Sequence, residues 1–260
     1  MASVTIHREA MTATRRVQQQ PAFILHHRPF RDTSQLLDVI SREYGKISLV
    51  ARGSRSAKSK LRGILRPFQP LRLSWFMRSD LGTLTGAEID ATPLSLSGDA
   101  LISAYYVNEL MLSFLHRHDP QPEIFDVYSQ TIFALSHSGE LAANLRVFEM
   151  QLLRLLGYAL NLEFDANLHE PVDERRSYEY RVEQGPVQVS RDDGPMVFKG
   201  ERLHRIAAAA FDDPAVLRDA GRLLREVIRH HLDGRELKSR KVLLDLHRVR
   251  MAKNDSPERR

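Results

Sequence analysis

The 260-residue chain contains no cysteine, so disulfides and thiolate metal sites are both excluded. No apolar run approaches the roughly 18 residues that a membrane-crossing helix needs. There is no GxxxxGK[ST] loop, the backbone cradle that nucleotide-hydrolysing proteins use. The GxSxG elbow and the HExxH zinc motif are also missing. Acidic residues are scattered and form no carboxylate cluster of the kind that holds two catalytic metals. The chain therefore reads as a protein that is not an enzyme, with no cofactor and no metal. Its first 20 residues lack the apolar core of a secretory signal and read as a disordered basic arm.

What the chain does have is charge, unevenly placed. Residues 1–93 carry 15 Lys and Arg against 7 Asp and Glu, and residues 94–260 carry 23 against 26. A basic third joined to a slightly acidic remainder argues for a basic binding module attached to something with another job. Within that third, residues 52–66 hold six cations and no acid: Arg52, Arg55, Lys58, Lys60, Arg62 and Arg66. Ser, Gly and Ala space them, so the segment reads as a flexible loop between strands. Such a loop suits a polyanion, because each cation that neutralises a phosphate releases condensed counterions regardless of base sequence.

Five short apolar or alternating runs (22–26, 36–40, 47–51, 70–76 and 81–89) predict five β-strands with Gly and Pro punctuation. That count in one small module suits an OB-fold, and an SH3-like barrel fits the same pattern. After Pro93 the texture becomes helical. Helices are predicted over 99–115, 124–135, 145–156, 203–211, 214–232 and 238–249. The stretch 158–197, punctuated by Pro171, Pro186 and Pro195, reads as irregular, with a possible hairpin over 177–189. The expected organisation is an arm at 1–20, a barrel at 21–93, a helical domain at 94–250 with an irregular insertion around 160–197, and a polar tail at 251–260. The fold class is α+β.

Two further patterns carry chemistry. Arg218, Arg222, Arg225 and Arg229 fall within roughly a 60° arc at about 100° per residue, beside the apolar stripe of Val216, Ala220, Leu223 and Val227. Such a ridge suits an acidic peptide with hydrophobic anchors, and it equally suits an ordinary surface helix. Histidines come in pairs: His26–His27, His116 with His118, and His230–His231. Neighbours on a strand point to opposite faces, so His26 and His27 are badly placed to share an ion. His116 and His118 read as cations at a helix C-terminus.

Several patches, taken in order, resemble the RecO family of bacterial DNA-repair proteins. They are AFILHHRPFRDTS (22–34), YGKISLVARGSR (44–55), LRPFQPL (65–71), YVNEL (106–110), RVFE (146–149), LGY (156–158) and GRELKSR (234–240). The resemblance spans about residues 21–248. It implies an N-terminal OB-fold followed by an α-helical C-terminal domain. It implies a cytoplasmic, nucleoid-associated mediator of DNA repair and recombination. Such a protein binds single- and double-stranded DNA, anneals complementary strands, and helps replace single-stranded DNA-binding protein (SSB) by RecA together with RecR, with RecF as a further candidate partner. On this reading Arg28, Arg31, Arg52, Arg55, Lys58, Lys60, Arg62 and Arg66 contact DNA. Phe30, Tyr44 and Phe68 either stack on bases or fill the barrel core. The acidic, Phe-ended SSB tail would meet Arg146 first, then Arg218 and Arg222, with Lys199 and Arg202 as weaker choices; Arg146 could instead pair with Glu149. Many relatives carry four zinc-binding cysteines after the LGY motif, and here there are none. The rival reading is an OB-fold RNA-binding protein, distinguished by preference for RNA over DNA at equal length and salt.

Overall fold

The computed structural model describes residues 15–137, 139–239 and 242. Most of the predicted last helix and all of the polar tail lie outside the described residues. The chain divides into two compact units after Ser136. The change from strand to helix near residue 93 is therefore not where the units part: two helices stay with the barrel.

Strand β1 spans Arg15–Phe30, β2 Ser34–Ser41, β3 Gly45–Ala51, β4 Leu71–Met77 and β5 Leu81–Ile89. They close a barrel in the order β1-β2-β3-β5-β4, with β3 and β5 forming the parallel seam. This is the OB-type barrel, and it sets aside the SH3-like alternative. Ile24, Leu37, Val39, Ile47, Leu49, Leu71, Leu73 and Trp75 fill the interior. Each comes from an inward position of a period-2 strand.

β1 corrects one expectation. Residues 15–20 are paired in the sheet, where a disordered arm was expected up to residue 20. The first half of β1 pairs with β4 and the second half with β2, so one long strand serves both neighbours. Its polar stretch Gln18-Gln19-Gln20 offers no apolar alternation to read, but a ladder is made of backbone groups and needs none. A bulge between Val17 and Gln20 lets Gln19, at φ 51°, donate its N–H to Ser74 Oγ at 3.0 Å.

The middle of β1, residues 22–25, is also buried on both faces. Ala22 and Ile24 point into the barrel, while Phe23 and Leu25 are buried outside that core. Helices α1 (Gly98–Phe114) and α2 (Pro122–His137) belong to the same unit. The Phe23 ring packs on Phe125 at 5.5 Å and edge-on to Tyr128 at 5.1 Å. A bulge between Ile24 and His26 leaves Leu25 without a partner on β2. Its carbonyl accepts from buried Asn108 Nδ2 at 2.7 Å, and Asn108 Oδ1 accepts from Tyr128 OH at 2.7 Å. Burial raises the Tyr128 phenol well above its ordinary pKa, so it remains a donor. At the other end of the barrel, Arg42 forks onto Asp126 at 2.9 and 3.0 Å. Lys46 Nζ donates to the Leu112 carbonyl at 2.8 Å. Gly45, at φ 64°, admits the Asp119 backbone so closely that a Cβ would lie 2.1 Å from the Asp119 carbonyl oxygen.

The second unit holds α3 (Leu141–Leu155), β6 (Ser177–Arg181), β7 (Gly185–Val189), β8 (Val197–Lys199), α4 (Gly200–Ala207) and α5 (Pro214–His231). α5 packs on α3 and α4. The hairpin expected over 177–189 is β6–β7. Residues 158–176 and 190–196 carry no strand or helix, as expected, while β8 joins that hairpin to make a three-stranded sheet in the order β7-β6-β8. Its organiser is Asp165, which is buried and accepts from the N–H groups of Asn167, Leu168 and Gln188, each at 2.8 Å. Burial alone would raise the Asp165 pKa, but these three donors, with His169 nearby, bring it below the ordinary carboxylate value.

Two predictions follow from these polar anchors. Asn108→Ala strands the Leu25 carbonyl and the Tyr128 hydroxyl and should cost about 2–4 kcal/mol in chemical denaturation; a cost near zero would contradict the anchor. Because the folded Asp165 pKa is depressed, its contribution is complete above the unfolded carboxylate pKa and is lost as pH falls through the folded value. Asp165→Asn should therefore lower stability at neutral pH and flatten the acid limb of a stability–pH curve.

Candidate nucleic-acid interface

One end of the barrel is formed by the β1–β2 connection (31–33) and the long β3–β4 connection (52–70). The two are joined: Arg55 N–H donates to the Thr33 carbonyl at 2.8 Å. Ser54 is buried, donates through Oγ to the Ala51 carbonyl at 2.9 Å, and lies 3.2 Å from Gln35 Oε1. Ser59 then caps a single 3-10 turn, Lys60–Gly63, by accepting from Leu61 N–H. Leu61 and Ile64 pack against the barrel core, and Leu65 is part of it. Pro67 forms a β-bridge with Ile24. The segment is thus a pinned loop, not the flexible string its Ser, Gly and Ala content suggests. The spacing was read for its cations, whereas the leucines and isoleucine between them hold it down.

Pinning the apolar residues turns the cations outward. Arg28, Arg31, Arg52, Arg55, Lys58, Lys60, Arg62 and Arg66 are all exposed. None of the eight has a carboxylate partner among the described residues. Arg42 and Arg72, by contrast, pair with Asp126 and Asp90. Arg55 and Arg62 line a hollow of about 300 Å³ with Gln35 and Ser54. The aromatic candidates separate clearly. Tyr44 lies edge-on to Trp75 at 5.2 Å, and Phe68 is buried edge-on to Tyr105 at 5.0 Å, so both serve packing. Phe30 is half-buried at the end of β1, with the Arg31 guanidinium 5.4 Å from its ring. Arg78, exposed in the β4–β5 connection with its guanidinium 5.6 Å from Phe76, lies at the opposite end of the barrel, beside the β2–β3 turn, and is not part of this surface.

The candidate peptide-binding cations of the second unit are mostly engaged. Arg146 is largely buried, pairs with Glu149 at 2.6 Å, and fits over Gly221 of α5, where a Cβ would lie 2.9 Å from its Nη1. Arg222 donates to the carbonyls of Gly194 and Val197 at 2.9 Å each and lies 4.4 Å over the Phe198 ring. Arg202 pairs with Asp219 at 2.6 Å and Lys199 with Asp192 at 2.5 Å. Arg218 alone of the five is exposed without a carboxylate partner among the described residues. A groove of about 370 Å³ on this unit is lined by Val147, Met150 and Arg154 of α3, Leu160 and Leu162, and Ala207. Among the described residues no helix is long and apolar enough to cross a membrane.

A closed five-strand barrel bearing an exposed basic loop defines the first unit as an OB-fold module with a cationic surface. Family models narrow the class: one described as Recombination protein O N terminal matches residues 15–92, and one described as Recombination protein O C terminal matches residues 95–241. The chain belongs to the RecO family. It is 43% identical to a DNA repair protein RecO of Nitrosococcus oceani, over 90% of this chain and 96% of that relative. Proteins of the same name from Aromatoleum aromaticum and Dechloromonas aromatica are 38% and 39% identical, each over 92% of this chain and 100% of the relative.

The anchored-loop geometry has a direct test. Leu61→Ser removes an apolar anchor without touching a charge. It should speed amide exchange of residues 59–65 about tenfold while lowering global stability by only ~1 kcal/mol. Unchanged exchange there would show that Leu61 does not hold the loop.

Proposed function

We propose that this chain acts in DNA repair and recombination by binding single- and double-stranded DNA at the basic end of its barrel and annealing complementary strands. The observation that carries the reading is a set of eight exposed cations without carboxylate partners among the described residues, seven on two joined connections and Arg28 near the end of β1. Cations already paired would have to give up a partner before meeting a phosphate; these do not. Annealing needs two polyanions to approach, and cations that screen both lower that barrier without making or breaking a bond. Contacts to phosphate set affinity and register, not base choice. The pinned loop also reduces the ordering cost of binding, because its backbone is already placed.

In the cell, the same protein would help replace SSB by RecA together with RecR and RecF, in the cytoplasm near the nucleoid. The acidic tail of SSB fits the groove beside α3, where Arg154 supplies a cation and Val147, Met150 and Leu162 an apolar floor. Arg218 is a second exposed cation of this unit, while Arg146 and Arg222 are turned to internal partners.

The test is annealing of complementary oligonucleotides, naked and precoated with the cognate SSB, with and without the SSB tail. Arg55→Glu/Lys58→Glu/Arg62→Glu should abolish annealing and weaken single-strand binding more than tenfold. Its log–log salt slope should shrink by about 2, at ~0.7 per lost phosphate contact. Arg154→Glu should impair annealing of coated strands only. Wild-type affinity in the triple variant would overturn the DNA reading, and a clear preference for RNA at equal length and salt would favour the RNA-binding alternative.

A further inference from the structure

The turn between β6 and β7 and the last turn of α5 bring three metal-ligating side chains together. Glu183 sits in the turn at φ 68°, a left-handed conformation uncommon for a residue with a side chain. His230 and His231 end α5. One ligand atom from each of the three lies within 4.8 Å of the other two. Glu183 Oε1 and His230 Nε2 are 3.1 Å apart. The His231 ring stacks on Tyr158, with centroids 4.0 Å apart and planes at 17°, which fixes its orientation through its face and leaves its nitrogens at the edge. The two histidine rings stand at 84° to each other, 5.2 Å between centroids. Glu183 and His231 also line a cavity of about 250 Å³ with Tyr158, Tyr180 and Val227.

We infer that Glu183, His230 and His231 form a site for a divalent transition metal of the zinc class, clamping the β6–β7 turn to the end of α5. An ion pair would use only Glu183 and His230; the third group is what makes this a ligand set. Two imidazoles and one carboxylate suit zinc and its neighbours, whereas magnesium and calcium take oxygen donors. Bonds of about 2.0–2.1 Å put tetrahedral ligands roughly 3.3 Å apart. The Glu183–His230 pair already has that spacing, and the His231 ligand atom lies within 4.8 Å of both. The carbonyl end of a helix favours a cation. Three protein ligands leave a fourth position for water on the cavity side.

Zinc chloride titrated calorimetrically into the full-length chain should bind at one equivalent. Glu183→Gln and His231→Ala should each weaken binding by about tenfold or more, and His116→Ala, in another histidine pair, should not. Circular dichroism checks that each variant is folded; Glu183 is exposed, so its variant does not depend on core packing. Zinc should slow amide exchange over residues 181–185 in the wild type, and cobalt should give visible d–d absorption that Glu183→Gln loses. No uptake by the wild type, leaving a simple Glu183–His230 pair, would overturn the inference. So would uptake unchanged in both Glu183→Gln and His231→Ala.

Discussion

The first strand must satisfy two cores at once. Ala22 and Ile24 close the barrel from within, while Phe23 and Leu25 bury their side chains outside it, with Phe23 against α2. A one-residue slip over residues 22–25 would drive Phe23 and Leu25 into a barrel interior shaped for Ala22 and Ile24. The bulge at Leu25 is where this demand is met, since it frees one carbonyl and Asn108 accepts the task of pairing it. Barrel, helices and the polar bridge between them form one unit, which is why α1 and α2 stay with the strands. With that end of the barrel tied down through Arg42, Lys46 and Gly45, the opposite connections are left to carry charge.

Charge on those connections is held by apolar residues. Leu61, Ile64 and Leu65 face the core, and the helical turn they define sends Lys60 and Arg62 outward. Ser54 and the Arg55 amide fasten the loop to its neighbour. A cationic surface built this way does not collapse when phosphates are absent, because its geometry comes from packing and backbone hydrogen bonds. In the second unit the same economy works in reverse: Arg146, Arg202 and Arg222 are turned to internal partners and hold α3, α5 and the sheet loop in place.

Much of this was legible from residue order alone. The alternation of residues 70–76 marked β4, and the span 177–189 was readable as a possible hairpin. The clustering of cations over 52–66 was visible because charge composition is local. What escaped depends on long-range contact. The glutamines of β1 have no periodicity, and only β4 reveals that their backbone is paired. Asp165 looked like any loop acid until Gln188, 23 residues away, supplied its third donor. Spacing placed Arg222 on a ridge with Arg218, but periodicity says which residues share a face, not whether that face meets water. Arg222 meets Phe198 instead.

The central claim is that the barrel's basic end is where single-stranded DNA sits. Hydrogen exchange of the full-length chain with and without a short oligonucleotide measures this directly. The account predicts slowed exchange confined largely to residues 28–35 and 52–66. Protection confined to the second unit, with those segments unchanged at saturating DNA, would contradict it.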